Sequence, residues 1–515
     1  MTDQTEYAPE HDGVPLVDVI VIGGGVAGLV AARECARIGL EVVVYEATNA
    51  IGGAVAGHRV AGLALDSGAE SFAVRRGSVA EFITGLGLAE DIVAPQAAGA
   101  WLHLPPERTG TGAVSVPLPP VGVLGIPGSP LSDDVRRVIG WGGAWRAWLD
   151  RILPVLTIGR EHSLGDLVRK RMGRRVLERL VEPVVSGVYS ASAGDLEIDV
   201  VAPGLNSALT TTGSLSGAVL ALRAQIPAGS AVGGLRGGMS RLVAALVADL
   251  ELLGVRIVTE SPVAALERSG TDTDAIWSVS IDPAATPLAP DSTAGSVPVS
   301  AAGFVPGSFR SRFVIVATPA AAALGLVAPL SPELAALASL DWPEPTAVEL
   351  ATLVIDAPQL DPPPRGTGVL VAQGALGVTA KALTHVSAKW AWVAEAAGPG
   401  RHVLRLSYGR AGEGIPTAAL TDEELLAVAL ADASTLLGVD LDPAAVVGHA
   451  RTRWGDALSP ATLGARERVG AVRDAVGGMP GLAVTGAWLA GTGLASVIPD
   501  ALDAAAQTRR AYLGL

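Results

Sequence analysis

The chain has 515 residues, 49% of them hydrophobic, and a formal net charge of −14 with no prominent basic run. That length exceeds what one core supports, so two or three domains are expected, and the acidic balance argues against a nucleic-acid partner. The single cysteine, Cys35, excludes an intramolecular disulfide and points to a reducing cytoplasm, with Cys35 a small packed helix residue.

The first 14 residues are polar and acidic and read as a disordered tail without a secretory signal. Residues 17–46, VDVIVIGGGVAGLVAARECARIGLEVVVYE, predict an apolar strand, a glycine-rich turn, a helix, a second strand and a terminal acid. Gly23, Gly25 and Gly28 fit G-x-G-x-x-G. The first glycine permits the tight turn, the second lets backbone approach a pyrophosphate, and the third lets helix pack on sheet. The helix N-terminus then offers unpaired N–H groups and partial positive charge to phosphate. Glu46 stands where a carboxylate can accept hydrogen bonds from a ribose diol. The motif predicts dinucleotide binding without distinguishing FAD from NAD.

Residues 110–225 are Pro/Gly-rich at first and then helical. Trp141, Trp145 and Trp148 recur near helical spacing, as a core stripe or as a contact with a membrane surface or substrate entrance. SLGDLVRKRMGRRVLERLVEPVV, 163–185, carries apolar residues at helical spacing, with Ser163 and Asp166 as a variant capping box. A second glycine cluster at 233 leads into a helix from about 239, a strand at 255–259 and a turn into Val263. A strand pair around 275–316 is interrupted by 282–307, rich in Pro, Ala, Ser and Gly, which reads as a mobile surface loop. Phe313–Leu330 is a long uncharged run, but Pro319 and Pro329 interrupt it, and it reads as a buried strand and turn rather than a membrane span. Residues 331–465 alternate as in a largely β domain, and the end returns to strand, glycine-rich turn and helix.

The expected architecture is therefore α/β and α+β: a discontinuous Rossmann-like dinucleotide domain (15–90, 228–330 and 466–515), an inserted helical domain (110–225) and an inserted, largely β substrate domain (331–465). No Cys/His metal spacing is present, and the seven histidines are scattered.

VIGGGVAGL, YEA with Gly52 and Gly53, FVIVATP and the terminal TGAWLAGTG resemble the monoamine oxidase-like flavoenzymes. LDSGAESF (65–72), the 163–199 segment with its EP, SG and Y, GGLRGGMSRL (233–242), and SAKW (387–390) with LRLSYG resemble, more narrowly, the flavin-dependent coproporphyrinogen and protoporphyrinogen oxidases. The resemblance implies FAD. Gly23, Gly24, Gly25, Val26, Ala27 and Gly28 would cradle its pyrophosphate, with Glu46 and Ala47 at the ribose and Val263 at adenine. Gly53, Ala54, Gly68, Ala69, Glu70 and Ser71 would line the flavin, with Trp454 near its ring and Thr492, Gly493 and Leu494 at its pyrimidine end. A helix N-terminus there would stabilise negative charge on reduced flavin.

The implied reaction removes six electrons from a porphyrinogen in three two-electron steps, with O2 as acceptor and H2O2 released. It requires no acid–base triad, because the cofactor carries the hard step. Substrate propionates need cations, and Arg75, Arg76 and Lys389 are the candidates, Lys389 lying in an apolar strand pattern. Tyr189 and Trp390 either pack on the macrocycle or belong to the core. The high-GC, actinobacterium-like composition favours coproporphyrinogen III by analogy; protoporphyrinogen IX, another amine oxidase or desaturase reaction, and a non-catalytic flavin- or tetrapyrrole-binding protein are the alternatives. Peripheral membrane contact and transient contact with other haem-synthesis enzymes are compatible with this reading. Three departures from the family pattern stand out: Ala54 replaces a basic residue, the Gln-Tyr expected after Trp454 is missing, and Pro499 and Ala501 interrupt the last helix start, where Pro499 suits the first position of a slightly delayed helix.

Overall fold

The computed structural model describes residues 16–74, 77–106, 112–120, 122–154, 162–224, 231–271, 274–282, 307–458 and 462–515. The expected N-terminal tail, Arg75 and Arg76, and all of the expected 282–307 loop except Asp282 and Gly307 lie outside the described residues.

Two seven-stranded sheets organise the molecule. The first joins distant pieces of chain. Arg256–Val258, Val42–Tyr45, Leu16–Ile22, Gly307–Val316 and Leu482–Val484 run parallel, and Ile276–Ile281 and Val263–Ser269 extend the sheet antiparallel. Its central strands are runs of Val and Ile because both faces are covered. On one face the helices Val26–Ala36, Ser240–Leu252 and Leu494–Leu513 bury Leu29, Val30, Leu246 and Ile498. On the other, Ala320–Val327, Pro332–Ala338 and Ala465–Gly477 close over Ile20, Val314 and Trp277. The first helix is buried almost all round, Cys35 included, so its sequence shows little amphipathic period.

The second sheet orders Val446–Leu458, Thr346–Asp356, Arg401–Tyr408, Ala382–His385, Gly368–Val371, Trp101–Leu104 and Val114–Pro117. Val114–Pro117, in the Pro/Gly-rich opening of 110–225, pairs with Trp101–Leu104 and so satisfies its backbone groups in the sheet. One face packs Leu353, Leu383, Leu404 and Leu406 under the helix Asp422–Leu437, whose start is a capping box between Thr421 and Glu424. The opposite face is divided. Val354 and Val403 join Val60, Leu65 and Trp390 at one end, while Leu102 and Leu104 join the helical layer at the other.

The helical pattern at 163–185 is not one helix. It breaks at Gly173, whose φ is 93°, and passes through a π-turn at Leu177–Val181 before the helix Glu182–Tyr189. Of the capping box only half forms: Ser163 Oγ accepts from the Asp166 N–H, and the Asp166 carboxylate pairs with Arg169. Trp141 and Trp145 are not core, being 61% and 52% exposed. The kink at Gly140 shifts the phase of Asp133–Trp148 and leaves the burial to Val135, Val138, Ile139, Ala144 and Ala147.

Candidate active site

The first strand ends in a turn that only glycine fits. A Cβ on Gly23, whose φ is 109°, would lie 2.7 Å from the Ala317 carbonyl oxygen, and one on Gly28 would lie 1.9 Å from the Gly23 oxygen. Gly25 differs, with no atom within 4 Å of where a Cβ would stand, so its backbone faces open space. No side chain caps the helix that follows, which leaves the first-turn N–H groups of Val26, Ala27 and Gly28 without intrahelical acceptors. Gly24 lies between, its Cα beside Glu46 and Ile51.

The second glycine pair closes on the first. Gly52 N–H donates to Gly24 O at 2.8 Å, and a Cβ on Gly53 would sit 3.4 Å from Gly25 Cα. Ala69 N–H donates to Ala54 O at 2.9 Å, a Cβ on Gly68 would meet that oxygen at 2.1 Å, and Trp454 Nε1–H donates to Ser67 O at 2.9 Å. Gly53, Ala54, Gly68, Ala69 and Trp454 thus form one continuous wall. Gly493, with φ 104° and open space where its Cβ would be, starts the last helix, again without a side-chain cap. Two uncapped helix starts and a cradle kept free of Cβ atoms suit the phosphates and ring of a flavin dinucleotide.

Glu46 ends the second strand as expected, but its carboxylate already accepts from Gly24 N–H at 2.7 Å and from the Thr48 N–H and hydroxyl at 2.8 Å each. A carboxylate has about four lone-pair sites, so one remains for a ribose hydroxyl. Glu46 therefore also ties the glycine turn to the sheet edge. Its N–H bonds Val258 O and its carbonyl accepts from Ser261 N–H, which brings the start of the Val263 strand to the same corner, with Ala47 beside it.

The departure at Pro499 resolves differently from the expected delayed start. The helix begins at Leu494 and Pro499 lies inside it. The ring removes one donor early in the helix, and the burial of Val497, Ile498 and Ala501 against the first helix's cluster offsets that loss.

Behind that wall lies a charge cluster whose cationic centre, Arg405, the sequence did not single out. Glu70 pairs with Lys389 Nζ and with Arg405, whose Nη2 is 2.9 Å away but bent out of hydrogen-bond alignment. Burial alone would raise the Glu70 carboxyl, but Arg405 and Lys389 outweigh it and hold it at about 2. Asp66 accepts from the N–H groups of Met239 and Ser240, at the start of the Ser240–Leu252 helix. Burial pushes its carboxyl up to about 7 against the pull of Arg405 and those bonds. Arg405 Nη1 also donates to Gly68 O at 3.0 Å, joining the second sheet to the Gly68–Ser71 segment. The clue in the sequence was a charged residue in an apolar alternating strand, HVLRLSYG.

Lys389 is not in a strand. It ends the short helix Val386–Lys389, with its ammonium committed to Glu70, so it is not a free cation for substrate. Trp390 is core at 2% exposure. Tyr189 is half-buried at the edge of the helical cluster, and Ser71 is half-buried at the end of the Gly68–Ser71 segment.

Between the two buried clusters, Leu370, Ala382, Thr384 and Ser407 are partly exposed on an interior sheet face, with the largely buried Arg405 among them. Ala382 lies opposite Ser407 and Thr384 opposite Arg405, so these residues form one patch. The patch lies between the Gly68–Ser71 segment, reached through Arg405, and the helical layer, reached through Leu370. Among the described residues no group of three or more His, Cys, Asp or Glu could hold a metal, and no helix is long and apolar enough to cross a membrane.

The profile of the family described as flavin containing amine oxidoreductase matches residues 26–508. A curated protein from Mycobacterium tuberculosis named coproporphyrinogen III oxidase is 29% identical, over 93% of this chain and 94% of its own length. One of the same name from Bacillus subtilis is 26% identical, over 94% and 95%. A crystal structure from Exiguobacterium sp. 255-15, provisionally named protoporphyrinogen oxidase, superposes with a TM-score of 0.76 at 24% identity, covering 98% of this chain and 100% of that one. Cyclohexylamine oxidase from Brevibacterium oxydans superposes at 0.62 with 16% identity over 97% of this chain and 100% of its own, a likeness of fold.

Proposed function

The chain belongs to the flavin containing amine oxidoreductase family, and from that premise we propose that it oxidises coproporphyrinogen III to coproporphyrin III in haem synthesis. The overall change is one porphyrinogen and three O2 giving one porphyrin and three H2O2. FAD, when bound, supplies the two-electron acceptor for each of the three rounds. The observation that carries the reading is the adjacency of the Cβ-free cradle and the partly exposed sheet patch, joined by the Arg405 bond to Gly68 O. Relatives that align over almost the whole chain and bear the coproporphyrinogen name support the choice of substrate.

The protein's part is positioning and electrostatics. Val26, Ala27 and Gly28 would hold the pyrophosphate through backbone N–H groups, and Glu46 would take a ribose hydroxyl while fixing the turn. Gly68, Ala69, Glu70 and Ser71 would line the ring, with Glu70 held by both Lys389 and Arg405 so that the wall is rigid and the cluster keeps an excess of positive charge. The uncapped helix start at Gly493 would stabilise negative charge at the pyrimidine end. The patch of Ala382, Thr384, Ser407 and Leu370 offers a flat, mostly uncharged surface for a macrocycle. Arg76, following the flavin-lining segment, remains a candidate partner for a propionate. The reading places the protein in the cytoplasm.

The test mixes the yellow protein in air with anaerobically prepared coproporphyrinogen III or protoporphyrinogen IX and follows porphyrin fluorescence. Faster turnover of coproporphyrinogen upholds the proposal. Preference for protoporphyrinogen overturns the substrate, and no porphyrin from either overturns the activity.

A further inference from the structure

Of the ten tryptophans, only Trp141 and Trp145 are exposed. They belong to a longer stripe. After the kink at Gly140, the helix Asp133–Trp148 and the 3-10 turn Leu149–Arg151 bury Gly143, Ala144, Ala147 and Asp150 on one side. Trp141, Trp145, Leu149 and Ile152 recur at intervals of four, four and three, so they share the opposite face. Ile152 is 66% exposed, and Leu153 beside it is exposed as well. The stripe is about 16 Å long at the helical rise per residue. Its aromatic end is ordered: Trp145 meets Trp148 edge to face at 5.5 Å, and the Arg136 guanidinium stands 4.1 Å from the centre of the Trp141 ring. A helix apolar on both sides normally has both covered, and an exposed apolar stripe of this kind marks an interaction surface.

The surroundings of the stripe are basic, although the chain is acidic. Residues 133–179 carry eleven Arg and Lys against six Asp and Glu, a surplus of five positive charges in a protein of net charge −14. Several of these cations are not matched by acids. Arg137, Arg151 and Arg175 are exposed, and none of them pairs with an acid among the described residues. Arg151 reaches Ser216 Oγ at 3.4 Å, and Arg175 donates to Ile139 O at the kink. Arg146, next to Trp145, donates to the carbonyls of Lys170 and Arg171. Such oxygens satisfy the N–H groups and leave the positive charge standing.

We propose that the Trp141–Leu153 face docks the protein peripherally on a lipid surface with anionic headgroups. Indole rings settle at the boundary between headgroups and acyl chains, and arginines beside them are drawn to lipid phosphate. A second copy of the chain fits this face less well. A two-fold contact sets each face against itself, which would bring one basic rim against another. The inference stands apart from the choice of substrate, because none of these residues belongs to the candidate active site.

The test floats the holoprotein with vesicles of phosphatidylcholine, alone or with an equal share of phosphatidylglycerol. Wild-type protein should float with the mixed vesicles at low salt, several-fold less with phosphatidylcholine alone, and several-fold less again at about 0.5 M salt. Trp141→Ser combined with Trp145→Ser should weaken binding to the mixed vesicles about tenfold or more. Because both side chains are exposed, flavin content, kcat and melting temperature should stay near wild type. Arg137→Gln combined with Arg151→Gln should remove several-fold of the phosphatidylglycerol-dependent part and leave binding to phosphatidylcholine alone unchanged. Wild-type protein that floats with neither vesicle at low salt would overturn the proposal. So would vesicle binding that the tryptophan pair changes by less than twofold. A dimer that dissociates in the tryptophan variant, without vesicle binding by wild type, would overturn it in favour of a second copy.

Discussion

The nucleotide cradle is made of backbone groups gathered within one strand, turn and helix, whereas the charged wall behind it joins Glu70 to Lys389, 319 residues away. The first depends on the absence of side chains, and an added methyl is its main hazard. The second depends on charges that must be paired once buried, so its main hazard is a missing partner. Damage to the cradle should therefore appear as lost cofactor, and damage to the wall as lost stability and altered pH dependence.

The largest expected effect is in the cradle. Gly28→Val would drive side-chain atoms into the Gly23 carbonyl, and we expect colourless or insoluble protein, with a loss of about 4 kcal/mol or more where it folds. Yellow protein with a near-native melting temperature would break the contrast. Next comes the wall. Glu70→Ala leaves two buried cations facing each other and should cost about 3–5 kcal/mol in chemical denaturation, with part regained in the double variant Glu70→Leu with Lys389→Met. No recovery in the double variant would mean that packing rather than charge sets the cost.

Glu46→Ala sharpens the comparison because it touches both kinds of contact. It removes a ribose acceptor and three bonds that hold the turn, so FAD affinity measured by titration of apoprotein should fall about tenfold or more. Unchanged affinity would remove Glu46 from the cofactor site. The smallest effect is a slope. The Asp66 carboxyl is raised to about 7 from an ordinary value near 3.8, so the folded state binds the extra proton between those values. Its contribution is full below the lower value and is lost as pH rises toward 7. Asp66→Asn should flatten that fall in melting temperature between pH 4 and 7, and a slope equal to wild type would place the titration elsewhere.

Much of the first sheet could be read from sequence because its signals are local. The glycine spacing, the VVVY run and Glu46 each have a meaning within a few residues, and the structure places them as expected. The charge cluster was less legible, since its electrostatics arise from pairings between residues far apart in the chain. Lys389 looked like a free cation in a strand because nothing near it in sequence announces Glu70. Pro499 was expected to open a helix, and only the packing of Ile498 and Ala501 shows why the helix runs through it. The tryptophans at 141 and 145 have helical spacing, but the kink at Gly140 resets the phase.

The central claim is that the cradle and patch together oxidise a porphyrinogen, and the most direct measurement is a single turnover without oxygen. Coproporphyrinogen III mixed anaerobically with the yellow holoprotein should bleach the flavin band as an oxidised tetrapyrrole forms, and admitting air should restore the band with H2O2 released. A flavin band that coproporphyrinogen leaves unchanged would contradict the account.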